Sequence, residues 1–160
     1  MPNGHLDIKE GTEVIAGGAF SVNSSLTSVS LPQSLICIGD LAFNHCSWLT
    51  NFDIPSSVTR IGYSAFANCV ELKSISLGQG IQNIGKLAFL NCQKLERIEI
   101  PTSLKYIGSE AFRYCSSLKE AKISDLRHWC TVQLEGHYSS PTAYTNNLIL
   151  NGEPIVDVVI

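Results

Sequence analysis

Residues 49–71 read LTNFDIPSSVTRIGYSAFANCVE, and the same pattern is written three more times around them without a gap. LTSVSLPQSLICIGDLAFNHCSW fills 26–48, LKSISLGQGIQNIGKLAFLNCQK fills 72–94 and LERIEIPTSLKYIGSEAFRYCSS fills 95–117, a constant period of 23 residues. Self-similarity at a fixed period of this size is the signature of a repeat architecture, in which each copy is one unit that cannot bury its own apolar face. Stacking covers that face. The shared apolar positions are Leu26/Leu49/Leu72/Leu95, Val29/Phe52/Ile75/Ile98, Leu31/Ile54/Leu77/Ile100, Leu35/Val58/Ile81/Leu104 and Ile38/Ile61/Ile84/Ile107, followed by a Gly, an Ala-Phe pair and a Cys.

Each part of the copy has a local reading. The stretch L-x-x-[VIF]-x-[LI] ends in period-two alternation, as a strand does, and Pro32, Pro55 or Pro101 stops it by removing an amide donor. Stacked copies of this strand make a parallel sheet with roughly 4.8 Å between neighbours. The following [LVI]-x-x-I-G predicts a second short extended piece, its Gly supplying freedom to turn. Asp40–Cys46 and its copies are too short for a long helix and suit one helical or 3₁₀ turn whose Phe plugs the core. The fold class expected is therefore α/β: a right-handed repeat solenoid with a parallel sheet on one face and short extended pieces and helical or 3₁₀ turns on the other. Val29, Leu31, Ile38, Phe43 and their copies are expected inside.

The template weakens at both ends. Leu6, Ile8, Ile15, Ala19 and Phe20 fit it with no Cys, so residues 1–25 read as a degenerate N-terminal repeat or cap, ahead of regular repeats over 26–124. Leu118, Ala121 and Ile123 begin another copy, which fails at Ser124-Asp125. Residues 125–160 then read as a non-repeat interruption. Asn151-Gly152, between Leu148-Ile149-Leu150 and Ile155-Val156, is a type I′ hairpin signal. Trp129, Val132, Leu134, Tyr138, Tyr144 and Leu148 are expected to close the end of the core. Ile155, Val158 and Ile160 match the strand of a further repeat, so the chain reads as a piece of a longer array; a natural terminus in an edge strand is the alternative.

These elements resemble the leucine-rich repeats of the BspA-like, Treponema pallidum type. The resemblance rests on the 23-residue period and on the Leu-x-x-Ile-x-Ile-Pro, Ile-Gly and Ala-Phe-x-x-Cys elements, and it covers about residues 6–124. Asp125-Leu126-Arg127-His128-Trp129-Cys130 and Leu148-Ile149-Leu150-Asn151-Gly152-Glu153 also look like elements that interrupt such arrays in gut bacterial members. The resemblance implies a bacterial cell-surface or secreted protein with an adhesive or ligand-binding role, and no catalytic residue to carry over.

Composition narrows the functional classes. The chain has 160 residues, 44% hydrophobic and 16% charged, which suits one domain with a buried core. Eleven Lys and Arg against fourteen Asp and Glu leave a formal charge of −3 with no basic run, so broad capture of nucleic acid or anionic membrane is not expected. No apolar run approaches the ~20 residues that span a bilayer, and the N-terminus has no export signal. Cys46, Cys69, Cys92 and Cys115 share one template position beside the core Phe, which predicts small buried thiols donating to turn carbonyls. Disulfides between adjacent coils are the alternative. Cys37 falls on a variable position and is expected at the surface or its edge. No Cys/His spacing matches a zinc site, so neither metal nor cofactor is expected.

No GxSxG, HExxH, P-loop or GxGxxG occurs, and the chain is not expected to be an enzyme. His128 and Cys130 lie two apart, as a thiol and its base could along a strand, but no third orienting group is identifiable. A packed Trp129-Cys130 with a solvent-facing His128 is the simpler expectation, with His5, His45 and His137 at the surface. A ligand would meet the strand face, whose outward residues are Ser28, Ser30, Asn51, Asp53, Ser74, Ser76, Arg97, Glu99, Glu120 and Lys122. The expected site residues are Asn51, Asp53, Ser74, Ser76, Arg97, Glu99, Glu120 and Lys122. This stripe holds neither Trp nor Tyr, the usual anchors of protein and sugar contacts. Two functions follow: a non-catalytic module for protein interaction or adhesion, with a protein or glycan ligand, or a structural spacer with no ligand of its own. The expected assembly state is a monomer, or weak self-association through the solenoid edges.

Overall fold

A computed structural model describes residues 4–143, 148–150 and 152–154. The chain winds as a β-solenoid whose strands form two long parallel ladders and one short one. On the first side lie β1 (Gly4–Asp7), β3 (Leu26–Ser30), β5 (Asn51–Asp53), β7 (Ser74–Ser76), β9 (Arg97–Ile100), β11 (Glu120–Ile123) and β13 (Leu148–Leu150). On the second lie the two-residue strands β2 (Val14–Ile15), β4 (Cys37–Ile38), β6 (Arg60–Ile61), β8 (Asn83–Ile84), β10 (Tyr106–Ile107) and β12 (Gln133–Leu134). Both extended pieces expected in each copy are present, and except at the step from β3 to β5 each pairs with its own copy in the next coil, as Cys37 with Arg60 and Asn51 with Ser74.

The core is the repeat read inward. Phe43, Phe66, Phe89 and Phe112 are fully buried, and so are Ile38, Ile61, Ile84 and Ile107. The four rings stack with centroids 5.3–5.5 Å apart, and Phe52 meets Phe43 and Phe66 edge-on at 4.9 and 4.7 Å. Offset rings at this spacing add to the burial of apolar area that drives stacking. Cys46, Cys69, Cys92 and Cys115 are free, buried thiols. Their Sγ atoms donate to the carbonyls of Phe20, Phe43, Phe66 and Phe89.

The segments after the Ile-Gly pairs take a different form from the helical turn that the sequence suggests. Asp40–Cys46 closes as successive β-turns, in which Ala42 N, Asn44 N and Cys46 N donate three residues back. The alternate amides of Leu41, Phe43 and His45 donate instead to carbonyls of the next coil at 2.7–2.8 Å. Half of the amides therefore tie the turn and half tie the stack. This pattern holds Leu41, Ser64, Leu87 and Glu110, and again His45, Asn68, Asn91 and Tyr114, in the left-handed region at φ 49–63°. A non-glycine residue there costs about 1 kcal/mol, which the inter-coil hydrogen bonds offset.

The repeat glycines also differ from expectation. Gly39, Gly62, Gly85 and Gly108 are not in the left-handed region; they sit where adjacent coils nearly touch. A Cβ on Gly85 would lie 2.6 Å from the Gly62 carbonyl carbon. The column is glycine because of close approach rather than freedom to turn.

The first ladder opens at one point. β1 pairs only with β3, and the six-stranded sheet begins at β5. Val29 and Leu31, expected inside, are only partly buried, although their copies from β5 onward are buried. The opening coincides with Phe52, the largest side chain in a slot that otherwise holds Val29, Ile75, Ile98 and Ala121.

Where the template fails after Ile123, the ladders continue. β12 pairs in parallel with β10, and β13 with β11, so four additional residues are absorbed within one longer coil. Asp125 caps a single helical turn, α1 (Leu126–Trp129), accepting from Arg127 N at 2.8 Å and His128 N at 3.1 Å. A 3₁₀ turn covers Pro141–Ala143. Trp129 and Val132 pack on the core, but Leu134 and Tyr138, expected to help close it, are about half exposed. Tyr144 lies outside the described residues, as does the further strand expected at 155–160. β13 and β14 (Glu153–Pro154) pair antiparallel, as expected of a hairpin, with Gly152 at φ 89°; Asn151 lies outside the described residues.

Candidate functional site

The outward residues of the first ladder form two columns because period-two alternation repeats in every coil. Asn51, Ser74, Arg97 and Glu120 occupy one, and Asp53, Ser76, Glu99 and Lys122 the other. The six on β5, β7 and β9 are exposed, while Glu120 and Lys122 are half-buried. Ser28 and Ser30 continue the columns toward the N-terminus. So do His5 and Asp7, in register with Ser28 and Ser30, which the sequence reading left out of the stripe. The subtraction of 23 that located Leu6 also locates them.

Side chains along the columns hold one another. Ser74 Oγ donates to Asn51 Oδ1 at 2.7 Å. His5 lies 2.7 Å from Ser28 Oγ and 3.1 Å from Asp7 Oδ1. The Ser30 hydroxyl and then His5 hold the Asp7 carboxyl below its ordinary range. Farther along, Arg97 is in register with Glu120 and Glu99 with Lys122, so these four charges alternate in sign between strands, while Asp53 faces Ser76.

Three adjoining depressions follow the stripe. One of about 570 Å³ lies where the ladder opens between β3 and β5, bounded by Leu31, Gln33, Asp53, Ser56 and Gln79. A second, of about 280 Å³, shares Asp53, Ser76 and Gln79 with it and reaches Arg97, Glu99 and Lys122. A third, of about 260 Å³, shares Glu99 and Lys122 and ends at Ile149 and Gly152. Together they make one shallow trough with hydroxyl, amide and paired charged groups along its length. Gln33, Ser56 and Gln79 come from the turns after the strands, and nothing in the strand periodicity marks them.

His128 and Cys130 do not lie on a strand. They flank Trp129 on the helical turn, Cys130 is exposed, and His128 turns a buried Nε2 inward with no hydrogen-bond partner among the described residues. The expected packed Trp-Cys pair with an outward His is thus corrected: only Trp129 is packed. Cys37 is half-buried at the edge, with Arg60 Nη1 3.9 Å from its sulfur. His5, His45 and His137 are at the surface. Among the described residues no group of three or more His, Cys, Asp or Glu could hold a metal ion. No described helix is long and apolar enough to cross a membrane.

The period, the double ladder and the Phe and Cys columns define a leucine-rich repeat solenoid. The chain belongs to the family described as the BspA type leucine rich repeat region, whose model matches six copies over residues 4–119. Among solved structures it is similar to the leucine-rich repeat protein of T. pallidum, at 33% identity and a TM-score of 0.72 over 74% of this chain and 57% of that one. It is also similar to a leucine-rich repeat protein from Bacteroides ovatus ATCC 8483, at 25% identity and a TM-score of 0.75 over 91% of this chain and 37% of that one. The match therefore takes in less than two thirds of the length of each of these relatives. No curated protein matches it in sequence.

Proposed function

We propose that this chain is a non-catalytic interaction or adhesion module of a cell-surface or secreted bacterial protein, and that a protein or glycan ligand lies along the trough of the strand face. The observation that carries this reading is the continuity of the three depressions along Asp53, Ser74, Ser76, Arg97, Glu99 and Lys122, with Asn51 and Glu120 beside them in the same columns. A rigid ladder presents these side chains at fixed spacing, so an extended ligand meets them with little ordering cost. Arg97 is the anchor, because a planar guanidinium can pair bidentately with a carboxylate. With no aromatic beside it, a single chain binds at about micromolar affinity or weaker, and many repeats in the full protein add avidity.

The spacer reading draws on a different observation. Arg97 in register with Glu120 and Glu99 with Lys122 leave that half of the stripe without net charge to attract a partner. An array of glycans and extracellular matrix proteins probed with the labelled chain separates the two. Saturable binding lost in an Arg97→Ala, Asp53→Ala double variant supports the module; absence of binding to every member of the array supports the spacer.

A further inference from the structure

The turns that follow the second ladder carry a further depression, where the longer coil docks on the last regular one. Glu110 N donates to the His137 carbonyl at 3.0 Å and Phe112 N to the Tyr138 carbonyl at 3.2 Å, so the turn at 136–139 is docked on the turn at 109–113. Between them lies a depression of about 540 Å³, lined by Ser109, Glu110, Arg113, His137 and Tyr138. That volume falls within the range of small-molecule sites.

Its walls are fixed before any ligand arrives. Arg113 Nη1 pairs with Glu110 Oε2 at 2.5 Å, and Arg113 Nη2 donates to the Tyr114 hydroxyl at 2.8 Å. The guanidinium lies 4.7 Å from the Tyr114 ring centroid and 5.9 Å from that of Tyr138. Both rings are still about half exposed. Glu135 supports the floor from outside, accepting from Ser109 N at 3.2 Å. The side chains therefore need little ordering on binding.

We propose that this depression is a binding site for a neutral saccharide, distinct from the trough on the strand face. A sugar ring has one apolar C–H face and a rim of hydroxyls that both donate and accept. Tyr138 supplies the flat apolar surface. The paired Glu110 and Arg113 set an acceptor next to a donor, which is what vicinal hydroxyls require. The pair neutralises itself, so the site has no surplus positive charge to draw an acidic sugar. Apart from the tyrosine ring no apolar side chain lines it, so a hydrophobic peptide side chain would gain little there.

The test is an NMR titration of the isotopically labelled chain with maltohexaose, cellohexaose and xylohexaose separately, and with oligogalacturonate as the acidic comparison. Saturable shifts are expected for at least one neutral oligosaccharide, confined to the amides of 109–114 and 136–139, with a Kd of about a millimolar. Tyr138→Leu keeps apolar bulk, and Leu41 and Leu87 show that leucine occupies left-handed backbone in this chain. It is expected to weaken binding at least tenfold with an unchanged Tm, while Tyr138→Phe keeps most of it. The proposal is overturned by any of these results: no saturable shift with a neutral oligosaccharide, binding of oligogalacturonate alone, shifts only on the strand stripe, or unchanged affinity in Tyr138→Leu. Failure here leaves the strand-face reading untouched, since none of these residues belongs to the stripe.

Discussion

The thiol of Cys92 donates to the carbonyl of Phe66 at 3.2 Å, joining two residues 26 apart, so the sulfur of one coil closes the turn of the coil before it. The same bond recurs from Cys69 to Phe43 and from Cys115 to Phe89. Burial pushes these thiols up from the ordinary 9.0: to about 11 for Cys46, to about 12 for Cys115, and well up for Cys69 and Cys92. The neutral thiol is therefore the form that folding favours.

This has a pH consequence. A group whose folded pKa is raised contributes fully below its unfolded value, here about 9, and its contribution is lost as the pH rises from there through the folded value. Stability is expected to hold to about pH 8 and then fall, each thiol adding roughly 1.4 kcal/mol per pH unit to the slope. Cys92→Ser keeps a donor for the Phe66 carbonyl but does not ionise in this range. Urea midpoints at pH 8 and pH 10 should converge between this variant and the parent; a constant gap would show that ionisation of Cys92 contributes nothing.

Native-state alkylation tests the same ladder by access. Cys130 is exposed and Cys37 half-buried, whereas Cys46, Cys69, Cys92 and Cys115 are buried. Brief treatment with iodoacetamide followed by peptide mass spectrometry is expected to mark Cys130 first, Cys37 more slowly and the other four only after unfolding. A bridge among those four, or their early labelling, contradicts the stacked-thiol arrangement.

Phe66 is fully buried between Phe43 and Phe89, with Phe52 against its edge, whereas Phe20 at the end of the column is only partly buried. Phe66→Ala is expected to cost about 3–5 kcal/mol, and Phe20→Ala clearly less, because the end of the stack can relax. Chemical denaturation of the two variants measures the difference. Equal losses would mean that the rings do not form one column.

Gly85→Ala is a more local test. Its Cβ would meet the backbone of Gly62, 2.6 Å away at the carbonyl carbon, and neither chain segment can yield without shifting a whole coil. The expected cost is about 1–3 kcal/mol, as for other overpacked sites. Gly11→Ala gives a contrast in mechanism: that glycine is at φ 90° with nothing within 4 Å, so an alanine there costs left-handed backbone strain but meets no neighbouring coil. A Gly85→Ala variant as stable as the parent would remove close approach as the reason for the column.

On the strand face, Asp53 and Arg97 are exposed and neither contributes to the core. The Arg97→Ala, Asp53→Ala double variant is expected to stay within about 0.5 kcal/mol of the parent in stability. Loss of ligand binding in it is then a property of the surface. Differential scanning calorimetry beside the array measurement checks both halves, and a marked drop in Tm would disqualify the variant as a probe of the site.

By itself the sequence determined the period, and with it which side chains turn inward. Leu, Ile and Phe recurring every 23 residues cannot be buried within one coil, so they stack. The Ile38, Phe43 and Cys46 columns and the outward columns of Asn51 and Asp53 were therefore legible residue by residue. What only the tertiary structure decided lies between coils. The left-handed backbone at Leu41 and His45, the close approach at Gly85, the opening beside Phe52 and the continuation of both ladders past Asp125 all depend on the spacing of neighbouring backbones. Contacts between residues 23 to 29 apart leave no local signature. The trough inherits Gln33 and Gln79 from turns for the same reason, and the depression at Arg113 and Tyr138 exists because a longer coil happens to dock there.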